Sequence, residues 1–243
     1  MAIILHNAKT EGLLESLGYS TNEWTALETG STDPNVLYVV RPKGGSGFIV
    51  NRGLPGAGGV AMQTAELGAL GVRRIIHIGT CGLLGPSLNE KSLIVSTGAY
   101  KDGGAVLLSD YHDGRVERLS YPEQDLVRRV SEVLKSDGIA AQQALGYTVP
   151  VFYFQPAGLI RSLLEGNCYS GNARPFYTEM EQAAFFETAK RMKLQAASIV
   201  VGSDRYTVVG GELRHEWLGD TDTLVKQATK AAIEALQGGI GKQ

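Results

Sequence analysis

Two short apolar runs constrain this chain more than any other feature: residues 75–78 (Ile-Ile-His-Ile) and 198–201 (Ser-Ile-Val-Val). Neither alternates apolar with polar side chains, so each reads as a strand covered on both faces, the placement of strands in α/β sheets. Strands and helices alternate around them. Residues 2–6, 36–40, 48–51, 74–78, 92–99 and 195–201 read as strands, and 140–148 with 150–154 as an irregular β region. Residues 10–17, 60–70, 123–136, 179–192 and 221–236 read as helices. The fold class expected is α/β, with a central mixed sheet. With no linker, repeat or low-complexity tract, residues 1–243 read as a single domain.

The 243 residues are 43% hydrophobic and 20% charged, enough for a sizeable core. A net charge of −2 offers no basic surplus for nucleic acid. The apolar run Ile3-Ile4-Leu5 is too short for a signal peptide, and no segment approaches the roughly 20 apolar residues of a membrane span. Two cysteines, Cys81 and Cys168, make no disulfide framework, so a reduced, cytoplasmic location is expected. The four histidines, His6, His77, His112 and His215, lack metal-ligand spacing.

Ligands in open α/β sheets bind beyond the carboxyl ends of strands, and three segments fall there. Gly79-Thr80-Cys81-Gly82 reads as a glycine turn after a strand, with the Thr80 hydroxyl available. Glu179 and Glu181 stand at a helix start, two residues apart, so only one of them is expected to serve a ligand. A carboxylate there can accept hydrogen bonds from two vicinal hydroxyls, or simply complement the helix dipole. Ser203-Asp204 ends an apolar strand, where Asp204 either caps a turn or acts as a general acid. Residues 53–59, rich in glycine, read as a structural turn before a helix rather than a dinucleotide site. His77 reads as a core histidine, and Phe152-Tyr153-Phe154 as core with the option of stacking on a base.

Together these segments resemble the nucleoside phosphorylase and nucleosidase family of the purine and uridine phosphorylase type. His77-Ile78-Gly79-Thr80-Cys81-Gly82 is close to that family's Arg-x-Gly-Thr/Ser-x-Gly strand end. Glu179-Met180-Glu181-Gln182-Ala183 matches its Glu-Met-Glu-x-Ala segment, Ser203-Asp204 its Ser-Asp pair, and Phe152-Tyr153 its aromatic pair. The resemblance implies a three-layer α/β/α fold, in dimers or trimers of dimers, and cleavage of the glycosidic bond at ribose C1′; no cofactor is expected. It implies that Glu181 and Met180 hold the ribose and that Asp204 protonates or hydrogen-bonds purine N7. Arg214, ten residues beyond Asp204, would orient that carboxylate. The absence of a Gln-x-Arg pair before the helix favours purine over uridine.

The departures lie on the nucleophile side. The family's Gly-Asp-Pro-x-x-Arg phosphate loop is replaced by His6-Asn7-Ala8-Lys9-Thr10-Glu11, and its strand-end Arg by His77. Of the phosphate set only Thr80 stands clearly, beside Gly79 and His77, with Lys9, Arg52 or an Arg of a neighbouring subunit as substitutes for the missing arginines. Related nucleosidases use an early Glu as base for water, and Glu11 stands near that position, although as an exposed residue of a first helical turn it needs no such role. Those nucleosidases usually carry Ala where this chain has Cys81. The Gly-Thr-Cys-Gly run tips the expectation slightly to phosphorolysis, to base and ribose 1-phosphate. Hydrolysis by water, or a catalytically silent nucleoside-binding protein, are the alternatives.

Overall fold

A computed structural model describes residues 1–6, 9–29, 35–102, 105, 111–112, 115–116, 118–152, 155–166 and 173–238. Along the chain these form β1 (Ala2–Leu5), α1 (Thr10–Ser16), β2 (Trp24–Thr29), β3 (Asn35–Val40), β4 (Phe48–Arg52), α2 (Gly56–Ala69), β5 (Arg74–Leu84), β6 (Leu93–Tyr100), β7 (Tyr111–His112), β8 (Arg115–Val116), β9 (Leu119–Ser120) and α3 (Gln124–Ser136). They continue through β10 (Ala141–Thr148), α4 (Ala157–Glu165), β11 (Tyr177–Glu179), α5 (Gln182–Arg191), β12 (Gln195–Val209), β13 (Glu212–Trp217) and α6 (Asp222–Gln237).

The main sheet runs β13-β12-β6-β10-β11-β5-β1-β4-β3-β2, with β9 on β6 and an additional β12–β5 pairing. That extra pairing closes β5, β12, β6, β10 and β11 into a ring of strands. β5 lies parallel to both β1 and β12, so three neighbouring strands point their carboxyl ends the same way.

Side chains on a strand alternate between faces, and β1 shows it. Ile3 and Leu5 pack in one buried cluster with Ile76, Ile78, Ile199 and residues of α1, α3 and α6. Ala2 and Ile4 pack in another with Ile75 and residues of α2 and α5. Each fully buried Ile or Leu of this sandwich contributes about 1.5–3 kcal/mol. The three-layer expectation is therefore met in the central strands. α3 illustrates how its ends and face are set. The Glu123 carboxylate accepts from the N–H groups of Asp125 and Leu126 at 3.0 and 2.9 Å, while Leu126, Val127, Val130 and Leu134 point inward.

Several boundaries differ from the sequence reading. β5 does not stop at Ile78 for a glycine turn, but runs through Gly79-Thr80-Cys81-Gly82 to Leu84, paired with β12 throughout. Asp204 does not end a strand either. β12 continues to Val209, with a bulge at Ser203 between the pairs Gly202↔Cys81 and Asp204↔Gly82. The carboxylates expected at a helix start fall before it: Glu179 ends β11, and Glu181 is the residue preceding α5. β2, α4 and β13 have no counterpart in the sequence reading. Among the described residues, no helix is long and apolar enough to cross a membrane.

Candidate active site

A cavity of about 450 Å³ opens beside the parallel strands. Its walls follow the sheet order, with His6 just after β1, Thr80, Cys81 and Gly82 on β5, Ser203, Asp204 and Tyr206 on β12, and Trp217 at the end of β13. Pro55, Met180 and Glu181 close the β1 side, and Phe152 and Gln155 are also on the wall. The volume is within the usual range for small-molecule sites.

The two glutamates have separate duties. Glu179, 5% exposed, accepts from the N–H groups of Glu181 and Gln182 at 2.6 Å each, and from the Thr148 hydroxyl. It ties the start of α5 to β10. Burial, then the neighbouring Glu181 charge, pushes its carboxyl up to about 8, against the lowering effect of those hydrogen bonds. Glu181, 8% exposed, accepts at Oε1 from the N–H of Gly56, the first residue of α2, at 2.7 Å. Its pKa is raised by burial. Backbone hydrogen bonds from Gly56 and Met180 hold the carboxylate at the cavity wall, with the positive end of the α2 dipole behind it.

Asp204 is 1% exposed, and both its oxygens are engaged. Ser203 donates its hydroxyl to Oδ1 at 2.7 Å, and His215 Nε2 lies 2.9 Å from Oδ2. The bulge at Ser203 allows both residues to line the cavity although they are adjacent in a strand. Gly82 makes room for the carboxylate, since a Cβ there would stand 2.8 Å from both Asp204 Oδ2 and Tyr206 Cε2. His215 is stacked on Tyr206, with ring centroids 4.8 Å apart and planes at 27°, and its side chain is 35% exposed. One imidazole therefore links a buried carboxylate to water.

The structure gathers Thr80, Phe152, Glu179, Met180, Glu181, Ser203 and Asp204 around one cavity. Tyr153 and Cys168 lie outside the described residues. Four expected residues lie elsewhere. Arg214 does not reach Asp204. It pairs across the hairpin with Thr207, while His215 pairs with Tyr206, so strand alternation turns Arg214 to the opposite face. His77 is fully buried, with Nδ1 2.8 Å from the Ser198 hydroxyl, which also accepts from Gln182 Nε2 at 2.8 Å. Burial and the adjacent His6 hold its pKa well below the usual value, so it supplies neither a wall nor a charge. Gly79 is in β5 away from the cavity, where a Cβ would stand 3.1 Å from His77 Cε1. Glu11 is exposed on α1 and accepts from the Tyr38 hydroxyl at 3.1 Å.

Sequence reasoning missed His215, Tyr206, Trp217 and the part played by His6. A signal for the first three existed. Val209-Gly210-Gly211-Glu212 is a two-residue hairpin signature, and both glycines have positive φ, 59° and 82°. Counting outward pairs Tyr206 with His215 and Asp204 with Trp217.

Chemically, the described lining residues present three carboxylates and neither Lys nor Arg. His6, 6% exposed, is a neutral imidazole, its pKa lowered to about 4 by burial. The Cys81 thiol is pushed well above its ordinary value by burial, then by Asp204 and Glu179, which keeps it protonated and a poor nucleophile. The arrangement can hold hydroxyls at Glu181 and exchange a proton at Asp204.

Known proteins bear on this arrangement. The curated relatives include DeoD-type purine nucleoside phosphorylases from strains of Buchnera aphidicola subsp. Acyrthosiphon pisum, 25% identical over 174 residues, covering 67% of this chain and 68% of theirs. A purine nucleoside phosphorylase from Toxoplasma gondii superposes with a TM-score of 0.75 at 17% identity, covering 98% of this chain and 90% of that one. An AMP nucleosidase from Bacteroides thetaiotaomicron gives 0.69 at 16%, covering 97% and 86%. A futalosine hydrolase mutant from Helicobacter pylori gives 0.68 at 14%, covering 98% and 96%. These structures share the fold and include both phosphorylases and hydrolases. The pattern of the phosphorylase superfamily matches residues 17–237, nearly the whole chain, and the protein belongs to that superfamily.

Proposed function

We propose that this protein hydrolyses the N-glycosidic bond of a purine-type nucleoside. The observation that carries the reading is the buried Asp204, backed by His215 and standing in one cavity with Glu181. Glu181 accepts from the ribose hydroxyls, and Met180 packs against the sugar. Asp204 meets N7 of the base, and Phe152 with Trp217 flanks the ring. As the C1′–N9 bond breaks, its electron pair flows into the base, which takes a proton from Asp204 at N7, while water bonds to C1′ and releases its proton to solvent. The 35%-exposed His215 restores that proton to Asp204 from solvent. Such general-acid action is worth about 10²–10⁴-fold.

Water rather than phosphate as nucleophile is supported by the absence of a cationic donor among the described lining residues. Phosphate is held by charge-assisted donors, and the described lining offers three carboxylates with no Lys or Arg. The neutral His6 stands on that side as a hydrogen-bonding group for water. The lean toward phosphorolysis drawn from Gly79-Thr80-Cys81-Gly82 weakens, because those residues form a paired strand rather than an anion-binding turn.

The test is base release from inosine and adenosine, followed by HPLC with and without phosphate, for the wild type and Asp204→Asn. Free ribose at a rate indifferent to phosphate is expected, with a loss of at least about 10²-fold in the variant. Ribose 1-phosphate formed only with phosphate would overturn the choice of nucleophile. Full activity in Asp204→Asn would overturn the role of Asp204.

A further inference from the structure

A second recess, about 390 Å³, adjoins the cavity. Phe152, Gln155, Tyr206 and Trp217 wall both spaces, and Ile160, Leu213 and His215 complete the recess. His215 is the partition. Its Nε2 is turned to Asp204, and its ring stacks on Tyr206 and meets Trp217 edge-on at 5.1 Å and 71°. Phe152 and Trp217 lie 5.9 Å apart at 37°. None of the described walls of the recess is Asp, Glu, Lys or Arg. Trp217 is 63% exposed, a large apolar surface left beside a site. Gln155 donates from Nε2 to the Phe152 carbonyl at 3.3 Å, and its buried Oε1 has no hydrogen-bond partner among the described residues.

We propose that this recess receives an apolar or aromatic substituent on the base, as carried by an N6-alkylated or N6-arylated adenine nucleoside. The inference rests on the reading above that N7 meets Asp204. N7 and the exocyclic nitrogen at C6 share one edge of adenine. A base with N7 at Asp204 therefore directs its C6 substituent past His215, toward Leu213 and Ile160. The Gln155 amide lies on the wall common to both spaces, and a turn of it offers Oε1 to the N6–H. Aromatic planes on the Phe152, Tyr206, His215 and Trp217 side suit a ring in offset or edge contact.

The experiment compares adenosine with N6-benzyladenosine in the wild type, Leu213→Trp and Leu213→Ala. Leu213 is half-buried on β13, so the larger ring fills the recess and the smaller methyl opens it. In the wild type, kcat/KM for the benzyl substrate should exceed that for adenosine about tenfold, through a lower KM, within the range that apolar pocket contacts discriminate. Leu213→Trp should abolish the preference while adenosine turnover stays within about twofold, and Leu213→Ala should leave both substrates cleaved. Adenosine cleavage with equal or poorer use of the benzyl substrate in the wild type would overturn the recess while leaving the reaction standing. If neither nucleoside is cleaved, calorimetric titration separates the two ideas. Tighter binding of N6-benzyladenosine, lost in Leu213→Trp, keeps the recess and removes the reaction, whereas equal or absent binding removes the recess as well.

Discussion

Replacing His215 by Phe tests the buried carboxylate most directly. Phe keeps a flat ring against Tyr206 and Trp217 and deletes the nitrogen 2.9 Å from Asp204 Oδ2. Asp204, 1% exposed, would then retain only the Ser203 hydroxyl on its other oxygen. A buried acceptor stripped of its hydrogen-bond partner costs about 1–3 kcal/mol, and more if charged. His215 is 35% exposed at its side chain, so water replaces part of the lost contact, and about 1–3 kcal/mol is the appropriate range. For a chain of this size each kcal/mol moves Tm by about 2–4 °C, so a drop of about 2–12 °C is expected by differential scanning calorimetry. Base release should fall about 10²-fold in kcat/KM, because the proton path to Asp204 is cut. The double variant Asp204→Asn/His215→Phe gives the sharper sign. With the charge removed, the loss of His215 should cost at least about 1 kcal/mol less than it does beside Asp204. Additive effects in that cycle, or a His215→Phe protein with unchanged Tm and kcat/KM, would refute the coupling between the two residues.

Other outcomes follow from the same geometry. Arg214→Ala should leave kcat/KM within twofold and stability within about 0.5 kcal/mol, since Arg214 is exposed on the face away from Asp204. Gly82→Ala should cost about 1–3 kcal/mol in urea unfolding and lower activity as well, because its Cβ meets Asp204 Oδ2 and Tyr206 Cε2 at 2.8 Å. Glu179 binds its proton more tightly folded than unfolded, with a pKa of about 8 against 4.5, so the native state holds the extra proton between those values and stability should fall as pH rises through them. His6 acts in the opposite sense, being neutral when folded down to about pH 4 against 6.5 unfolded, and its contribution is lost as pH falls through that window. The Glu179 decline should therefore stand clear between about pH 6.5 and 8 in urea unfolding series, and Glu179→Gln should flatten it.

What the sequence revealed and what it hid have separate physical causes. The central strands were legible because burial on two faces leaves residues 75–78 and 198–201 no polar alternation, and α3 because its inward face repeats at helical spacing. The pocket residues Glu181, Met180, Ser203 and Asp204 were legible because their motifs are short and contiguous. His77 is the core histidine its apolar strand suggested, in a buried hydrogen-bond chain through Ser198 and Gln182, while its phosphate-side role came only from a position in a motif. A linear motif gives neither a side chain's depth along its strand nor the face that parity assigns it, and His77 lies on β5 short of the stretch Thr80–Gly82 that lines the cavity.

The same parity decides between Arg214 and His215. Ten residues after Asp204 is an even number, which would share a face on a continuous strand, but the hairpin intervenes and the pairing is antiparallel. The two-residue turn at Gly210–Gly211 makes partner numbers sum to a constant, as in Asp204↔Trp217 and Tyr206↔His215. An even-numbered residue of β12 thus faces with an odd-numbered residue of β13, and position 214 is excluded from the cavity face whatever its side chain. Inserting one residue into this turn would reverse the outcome. It would shift β13 by one position and carry the 214 side chain toward Asp204 while turning His215 away. The Asp204–His215 contact therefore depends on turn length as directly as on the identities of the two residues it joins.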